Sequence, residues 1–315
     1  VEEVSIANDK QRGWSLGGGG NSGVSDTKTI RLDAEVLAPN LARHSTHFAE
    51  LDRVLGGGLV QGSFVLLGGA PGIGKSTIIM QMAGGLAKDN IQVLYVSGEE
   101  STAQTASRAQ RLGVRSSQIE IASESNLNVI FELAKNRHPS VLVLDSIQTV
   151  YIPELNSAPG TVTQVRECAG HLMGLAKREN ISVILIGHIT KDGNIAGPKV
   201  LEHMVDCVLT FEGDMNHQFR LLRSIKNRFG AANELGVFRM NAQGLQEVAN
   251  PSEMFLEERG TNRIGSVIFA SMEGTRPLLC EVQALTISTQ MAMARRTSIG
   301  IDVNRLHLLG AVLDR

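Results

Sequence analysis

The sequence is poor in cysteine, in aromatic residues and in excess charge of either sign. Its three cysteines, Cys168, Cys207 and Cys280, lie far apart and form neither a C-x-x-C pair nor a zinc-ligand spacing, so we expect reduced, buried thiols. The net charge is −2 over 315 residues, which excludes a strongly basic protein that coats nucleic acid. Any DNA or RNA binding must come from local patches or from the channel of an oligomer.

Long apolar runs are also missing. None reaches the ~18 residues that a membrane-spanning helix needs, so no membrane partner is expected. No secretory segment follows Val1, and the absence of an initial Met indicates a fragment. Apolar residues still make up 42% of the chain, which is ample for the core of a globular protein.

The sequence does contain a complete phosphate-binding loop, which fits the pattern G-x-x-x-x-G-K-[ST] without a mismatch. The apolar run 63–67 before it predicts a buried strand, and apolar residues at helical spacing from Ile78 to Leu86 predict a helix after it. The motif therefore has the strand–loop–helix context that nucleotide binding requires. Its residues are Gly69, Ala70, Pro71, Gly72, Ile73, Gly74, Lys75, Ser76 and Thr77.

The residue types of this loop match the chemistry of a nucleoside triphosphate. The glycines let successive backbone N–H groups surround a phosphate, and the helix that begins near Lys75 adds its positive end. Lys75 would reach the β- and γ-phosphates, and the Ser76 hydroxyl would bind Mg²⁺. The loop therefore predicts a nucleotide and Mg²⁺ as cofactors.

Strand-like and helix-like segments alternate through the first two thirds of the chain, which predicts an α/β fold with a mainly parallel sheet and helices on both faces. Beyond residue 200, strand-like runs separated by turn residues predict an antiparallel extension at one edge. The predicted strands are 91–97, 118–122, 141–144, 181–186, 205–211, 219–226, 237–240, 245–248, 264–270 and 278–285. The predicted helices after the phosphate-loop helix are 101–112, 127–137, 161–179 and 302–315, with a short one in 43–60.

Three polar residues follow apolar strands and are expected to meet at one edge of the sheet, where ligands of open α/β folds bind. Asp145 would hold the Mg²⁺ shell through water. Glu99 could polarise the attacking water, although Glu100 is an alternative and either acid also suits a helix N-terminus. His188 could sense the γ-phosphate, or it could be a purely structural histidine.

Two cations, Lys226 and Arg228, lie in a turn after a predicted strand. They could form a solvated hairpin tip, or they could reach the γ-phosphate of a neighbouring subunit.

Together these motifs resemble bacterial RadA/Sms, a family of recombination and repair ATPases in the RecA superfamily. The resemblance extends from about residue 40 to the end of the chain. It is carried by the phosphate loop and by 51–59 (LDRVLGGGL), 95–101 (YVSGEES), 144–149 (LDSIQT), 187–193 (GHITKDG), 196–206 (AGPKVLEHMVD), 226–230 (KNRFG) and 250–255 (NPSEMF).

The resemblance implies a RecA-like P-loop NTPase core that uses ATP and Mg²⁺. It implies a homo-oligomer, a hexameric ring, that works as a DNA-dependent ATPase and drives branch migration as a helicase on single-stranded and branched DNA, with a recombinase partner. The catalytic roles carried over fall on Glu99, Lys75, Lys226 and Arg228, of which the last two would reach the neighbour's nucleotide. Asp145 and His188 would complete the cofactor site.

The resemblance also assigns 151–160 and 190–199 to two DNA-facing loops. Both are rich in Gly, Pro, Asn and Ser, as mobile loops are. Lys191 and Lys199 could contact DNA phosphates there.

The run of four glycines at 17–20 and the scattered polar residues around it predict a flexible linker at 1–38. We expect the ATPase core at 39–260, and by the same resemblance 261–315 is the start of a truncated domain similar to Lon protease. The family's N-terminal four-cysteine zinc module is absent, so zinc is expected only in that missing part. A chain without both flanks is expected to bind ATP but to form rings poorly.

An alternative function on the same core is an ATP-gated switch or autokinase without DNA translocation. An ATP-dependent protease is disfavoured, because no Ser–Lys protease site is recognisable. The resemblance places the protein in the bacterial cytoplasm, associated with the nucleoid, and an organelle remains open for a eukaryotic source.

Overall fold

The structure, a computed structural model, describes residues 42–188, 200–213, 219–256, 264–288 and 295–313. In chain order the strands are β1 (Arg43–His44), β2 (Leu59–Val60), β3 (Phe64–Gly69), β4 (Val93–Ser97), β5 (Ile119–Ser123), β6 (Val141–Asp145), β7 (Ser182–Ile186), β8 (Cys207–Glu212), β9 (Phe219–Asn227), β10 (Leu235–Asn241), β11 (Gly244–Glu247), β12 (Ser266–Glu273) and β13 (Arg276–Gln283). The helices are α1 (Ala49–Leu55), α2 (Lys75–Lys88), α3 (Thr102–Arg111), α4 (Leu127–Arg137), α5 (Val162–Glu179), α6 (Val200–Met204), α7 (Pro251–Leu256) and α8 (Val303–Leu313).

A nine-stranded sheet in the order β11-β10-β9-β8-β3-β7-β6-β4-β5 forms the centre of the fold. The six strands from β8 to β5 are parallel, and β9, β10 and β11 continue the sheet antiparallel. The predicted α/β class, with its antiparallel extension, is confirmed. Strands β3, β4, β6 and β7 are buried along their whole length, as their continuous apolar sequences require of parallel strands covered on both faces.

Each face of the sheet carries its own apolar core. On one face α1 and α2 pack with residues such as Val54, Ile78 and Met82. On the other face α4 and α5 pack with residues such as Ile130 and Leu172. This arrangement is the layered α/β architecture that strand–helix alternation predicts.

The helix starts carry the caps that their sequences indicate. Ser101 and Gln104 form a reciprocal capping box at the start of α3, and the side chains of Asn126 and Thr161 cap α4 and α5. Four short elements, β1, β2, α6 and α7, were not predicted, because segments of two to six residues carry too little periodicity to be recognised. No helix within the described ranges is long and apolar enough to cross a membrane.

The antiparallel hairpin β12–β13 packs on the edge of the sheet near β10. Arg276 of β13 forms a buried ion pair with Glu50 of α1, and Leu278 joins a small apolar cluster with Leu235 and Val237. Helix α8 has no buried residue. Residues 266–283 are therefore attached to the sheet, whereas the apolar side chains of α8 are exposed.

Candidate nucleotide site

The phosphate loop joins the end of β3 to the start of α2. Gly72 and Gly74 have φ values of +74° and +119°, which residues other than glycine rarely adopt. A Cβ atom on Gly74 would also lie 2.7 Å from Cε of Met240. Between them Ile73 is buried in the core, and Arg220 Nε donates a hydrogen bond of 3.2 Å to its carbonyl. Residues of β9 and β10 thus support the backbone of the phosphate loop.

Lys75 is the buried cation of the site. Its Nζ donates to the carbonyl oxygens of Gly69 and Ala70 at 2.8 and 2.9 Å. Burial lowers the pKa of Lys75, and the negative charges of Asp145 and Glu99 oppose that shift. The ammonium group is thus already bonded inside the loop, where phosphate oxygens can exchange for the carbonyls.

The predicted convergence of polar residues behind parallel strands is present in the geometry. Glu99 follows β4, Asp145 ends β6 and His188 follows β7, and these three strands are neighbours. His188 lies between the other groups, with Nδ1 at 3.3 Å from Nζ of Lys75 and Nε2 at 3.1 Å from a Glu99 oxygen. Because the ammonium group only donates, Nδ1 accepts and Nε2 carries the proton that it donates to Glu99.

Glu99 and Glu100 have different surroundings. Glu99 faces His188 and accepts a hydrogen bond from the Ser146 hydroxyl. Burial alone would raise the pKa of Glu99, but the hydrogen bonds from Ser146 and His188, with the positive charge of Lys75, together lower it. Glu100 instead forms an ion pair with Arg108 of α3. The geometry therefore favours Glu99 over Glu100 as the base, which stays a prediction.

The residues near Asp145 fit a Mg²⁺ ion. Oδ2 of Asp145 accepts a hydrogen bond of 2.6 Å from the Tyr95 hydroxyl. No described residue forms a hydrogen bond to Oδ1, which leaves one carboxylate oxygen for a metal-bound water. Ser76 supplies a hydroxyl at the start of α2. A carboxylate and a hydroxyl are the oxygen ligands that Mg²⁺ prefers.

Lys226 and Arg228 lie at the opposite edge of the sheet. In the strand register Asn227 pairs with Cys207 at the start of β8, whereas Phe211, near the end of β8, pairs with Gly69 of the phosphate loop. The four residue steps from Cys207 to Phe211 correspond to about 13 Å at ~3.3 Å per residue. The two predicted cations are therefore not brought together with Lys75 and Glu99 in this chain.

Both cations are engaged with backbone or acidic groups of their own chain. Lys226 Nζ donates to the carbonyls of Glu202 and Val205 at 2.8 Å each, and burial, followed by the charge of Arg228, lowers its pKa. Arg228 Nη1 lies 3.2 Å from Oδ1 of Asp206, and about half of the Arg228 side chain is exposed.

The turn that carries these cations is clamped to the end of α1. A Cβ atom on Gly230 would lie 2.7 Å from Cα of Gly56, so neither position tolerates a side chain without movement. Arg43 ties the two segments together by donating to the carbonyls of Gly56 and Phe229 at 2.8 and 2.7 Å. Two glycine-containing motifs that are distant in sequence therefore form one packed unit.

The structure describes only one of the two predicted DNA-facing loops. Residues 190–199, with Lys191 and Lys199, lie outside the described residues. The segment 151–160 was expected to be mobile, but the buried Gln164 side chain holds its first half. Gln164 accepts from the Ile152 amide at 2.9 Å and donates to the carbonyls of Ile152 and Ser157 at 3.2 and 2.9 Å. With the carbonyl of Leu155, four backbone groups are bonded to this one side chain. These bonds restrict the loop despite its Gly- and Ser-rich composition.

Comparison with known proteins agrees with this geometry. A family model described as "AAA domain" matches residues 33–194. The DNA repair protein RadA of Bacillus subtilis is 53% identical over 273 residues, 87% of this chain and 60% of the relative. RadA of Streptococcus pneumoniae is 49% identical over 315 residues, all of this chain and 73% of the relative.

The chain belongs to the RadA family. A further RadA, from Haemophilus influenzae, is 49% identical over the whole chain and 68% of its own length. The predicted resemblance is confirmed, and so is the P-loop ATPase domain. The chain spans about 60% of the length of the Bacillus RadA, so the activity and partners of a full-length protein are matters of proposal.

Four residues that position this site were not predicted from the sequence. Arg220 supports the phosphate loop, Tyr95 and Ser146 donate hydrogen bonds to Asp145 and Glu99, and Gln164 holds the segment after β6. Ser146 directly follows Asp145 and could have been suspected from that position. The other three lie in ordinary strand or helix patterns, and only the folding of the chain brings them to the site.

Proposed function

We propose that this chain is the ATPase core of a DNA repair protein that hydrolyses ATP with Mg²⁺ as its cofactor. The observation that carries the proposal is the row Lys75–His188–Glu99 beside a complete phosphate loop. This row puts a phosphate-binding cation and an ionised carboxylate on either side of one imidazole.

In the proposed reaction Glu99 accepts a proton from water as the water oxygen attacks the γ-phosphorus. The bond from that phosphorus to the β–γ bridging oxygen breaks, and ADP and phosphate leave. The lowered pKa of Glu99 keeps the base ionised at neutral pH. Lys75 and the loop N–H groups bind the phosphate oxygens, while Mg²⁺, held by Ser76 and through water by Asp145, would neutralise negative charge.

We further propose that Lys226 and Arg228 act between subunits. Since they lie about 13 Å along β8 from their own phosphate loop, a phosphate group that they contact belongs to another copy. A homo-oligomeric ring, hexameric in the simplest form, would bring the turn of one copy to the nucleotide of the next. Arg228 would exchange its pairing with Asp206 for the γ-phosphate.

The proposed substrate of the motor is single-stranded and branched DNA, on which ATP hydrolysis would promote branch migration during recombination, together with a recombinase partner. The relatives are DNA repair proteins, which supports the repair role. Lys191 and Lys199 are proposed to contact DNA phosphates. The competing function is an ATP-gated switch or autokinase whose output is a change of conformation.

ATP hydrolysis with and without single-stranded DNA distinguishes these functions. We expect DNA to stimulate turnover, Lys75→Ala to abolish it, and Arg228→Ala to lose hydrolysis while retaining nucleotide binding. Arg137→Ala is the matched control, because Arg137 forms an exposed ion pair with Glu120 of β5, which four strands of the sheet separate from β8. Turnover that ignores DNA, with a silent Arg228→Ala, would support the switch.

The assay should also be run on a chain that includes the remaining length of the relatives. If DNA stimulates only the longer chain, the motor function holds and the shorter chain assembles poorly. If DNA stimulates neither, the DNA motor proposal is wrong.

A further inference from the structure

The carboxylate of Asp145 is bound on one side only. Oδ2 accepts the hydrogen bond from the Tyr95 hydroxyl at 2.6 Å, and Nη1 of Arg108 lies 3.8 Å from the same oxygen. No described residue donates to Oδ1. A hydroxyl donor from β4 and a guanidinium from α3 thus lie beside the same oxygen.

Tyr95 is a fully buried tyrosine whose hydroxyl has this one described partner. Burial, followed by the charge of Asp145, raises the pKa of the phenol well above its usual range. The hydroxyl donates this hydrogen bond, and the carboxylate oxygen accepts it. A buried phenol is not needed for apolar packing, because phenylalanine would fill the same space without a polar atom.

Arg108 completes the arrangement from the helix side. It forms an ion pair with Glu100 and lies within reach of Asp145, and its side chain is mostly buried. Glu100 thereby fixes the guanidinium, and the guanidinium adds positive charge beside Oδ2. Glu100, the alternative base in the sequence, is therefore paired with Arg108, whereas Glu99 faces His188.

An aspartate side chain can rotate about its last bond and exchange its two oxygens. A carboxylate that holds a metal shell works best when that rotation is prevented, and partners outside the ligand set commonly provide the restraint. A bond at 2.6 Å to Oδ2 selects the orientation in which Oδ1 remains for the metal-bound water.

We propose that Tyr95, supported by Arg108, is a positioning residue that holds Asp145 by Oδ2 and presents Oδ1 to the Mg²⁺ shell of the nucleotide. This inference rests on the proposed ATPase function, and it names residues that the phosphate-loop motif does not include. Tyr95 itself contacts neither the nucleotide nor the metal.

The test measures the dissociation constant of a non-hydrolysable ATP analogue with saturating Mg²⁺ and with EDTA. The ratio of the two constants gives the gain in affinity that Mg²⁺ provides. Tyr95→Phe should lower this gain about 10-fold and leave binding in EDTA unchanged, since outer-shell partners contribute ~10–100-fold to metal affinity. A general loss of structure would instead weaken binding under both conditions.

Thr105→Val is the matched control. Thr105 lies on α3 and is also fully buried, but its hydroxyl has no hydrogen-bond partner in the described part of the chain. Its Mg²⁺ gain should equal that of the unmodified protein. Arg108→Gln, which removes the charge but keeps a donor, should reduce the gain by less than Tyr95→Phe.

Two outcomes separate the inference from the function on which it rests. If Tyr95→Phe keeps the full Mg²⁺ gain while Lys75→Ala abolishes binding, the role of Tyr95 is wrong and the ATPase proposal stands. If the unmodified protein binds no nucleotide under either condition, the proposed ATPase function itself is wrong.

Discussion

The two edges of the parallel sheet hold their charged residues in opposite ways. At the phosphate-loop edge His188 contacts both Lys75 and Glu99, so the three side chains form a connected row within one chain. At the other edge Lys226 and Arg228 are bonded to backbone carbonyls and to Asp206 of the same chain. The first edge brings the predicted site residues together, whereas the second is a turn packed against the end of α1.

Both edges require glycine, but for different reasons. At the phosphate loop, positive φ angles and the nearby Met240 require Gly74. At the opposite edge the close contact between Gly56 and Gly230 requires two residues without side chains. The glycines of the phosphate loop allow its backbone conformation, and those of the other edge allow the turn at Lys226 to pack on the end of α1.

The largest effect should come from mixing two inactive variants. Glu99→Gln removes the base, and Arg228→Ala removes the cation that acts on a neighbour, so each alone should lose ~10³-fold or more in ATP turnover. If Arg228 acts between copies, a mixture should recover part of the activity, because some interfaces pair an intact Glu99 with an intact Arg228. The measurement is turnover against mixing ratio. A mixture no better than either variant would place both residues in one subunit's reaction.

Glu99→Gln should also separate binding from chemistry at the phosphate-loop edge. Glutamine keeps the size of the side chain and can accept a hydrogen bond from Ser146 or His188, but it cannot accept a proton at neutral pH. Equilibrium binding of labelled ATP should therefore change by less than about threefold while hydrolysis is lost. A similar loss in Glu100→Gln would contradict the assignment of the base, since Glu100 is paired with Arg108.

Gly230→Ala should destabilise the opposite edge without touching the nucleotide. The added Cβ would meet Cα of Gly56 at 2.7 Å, and backbone atoms cannot rotate away as a side chain can. Overpacking of this kind costs about 1–3 kcal/mol of the free energy of unfolding, which urea denaturation would detect. Gly310→Ala, where no atom lies within 4 Å of the new Cβ, serves as the control. Equal stability of the two variants would show that the contact between Gly56 and Gly230 can accommodate a methyl group.

The smallest expected effect is a shift in pH dependence on losing the Ser146 hydroxyl. The hydrogen bond from Ser146 stabilises the ionised form of Glu99 and contributes to its lowered pKa. In Ser146→Ala the pKa of Glu99 should rise, so the acid limb of the kcat/KM profile should move to higher pH. Activity above neutral pH should change little, because Glu99 is ionised there in both proteins. An acid limb that moves to lower pH would contradict this role.

Much of the fold could be predicted because its signals are local. The fully apolar runs of β3, β4, β6 and β7 indicate strands buried on both faces, and the helical spacing in α2 and α5 indicates their buried sides. Asp145, Glu99 and His188 could be placed at one edge, since the carboxyl ends of parallel strands meet there. Short elements such as α6 were missed, because a single turn of helix has too few residues to show a period.

The sequence by itself determined the phosphate loop, the α/β alternation and the family, since these depend on residues adjacent in the chain or on a recognisable order of motifs. Only the tertiary structure decided that Glu99 rather than Glu100 faces His188, that Tyr95 binds one oxygen of Asp145, and that the turn at Lys226 lies about 13 Å along β8 from its own phosphate loop. Those facts depend on which strands are neighbours and on their register. Both are set by packing between segments far apart in sequence, which no local pattern records.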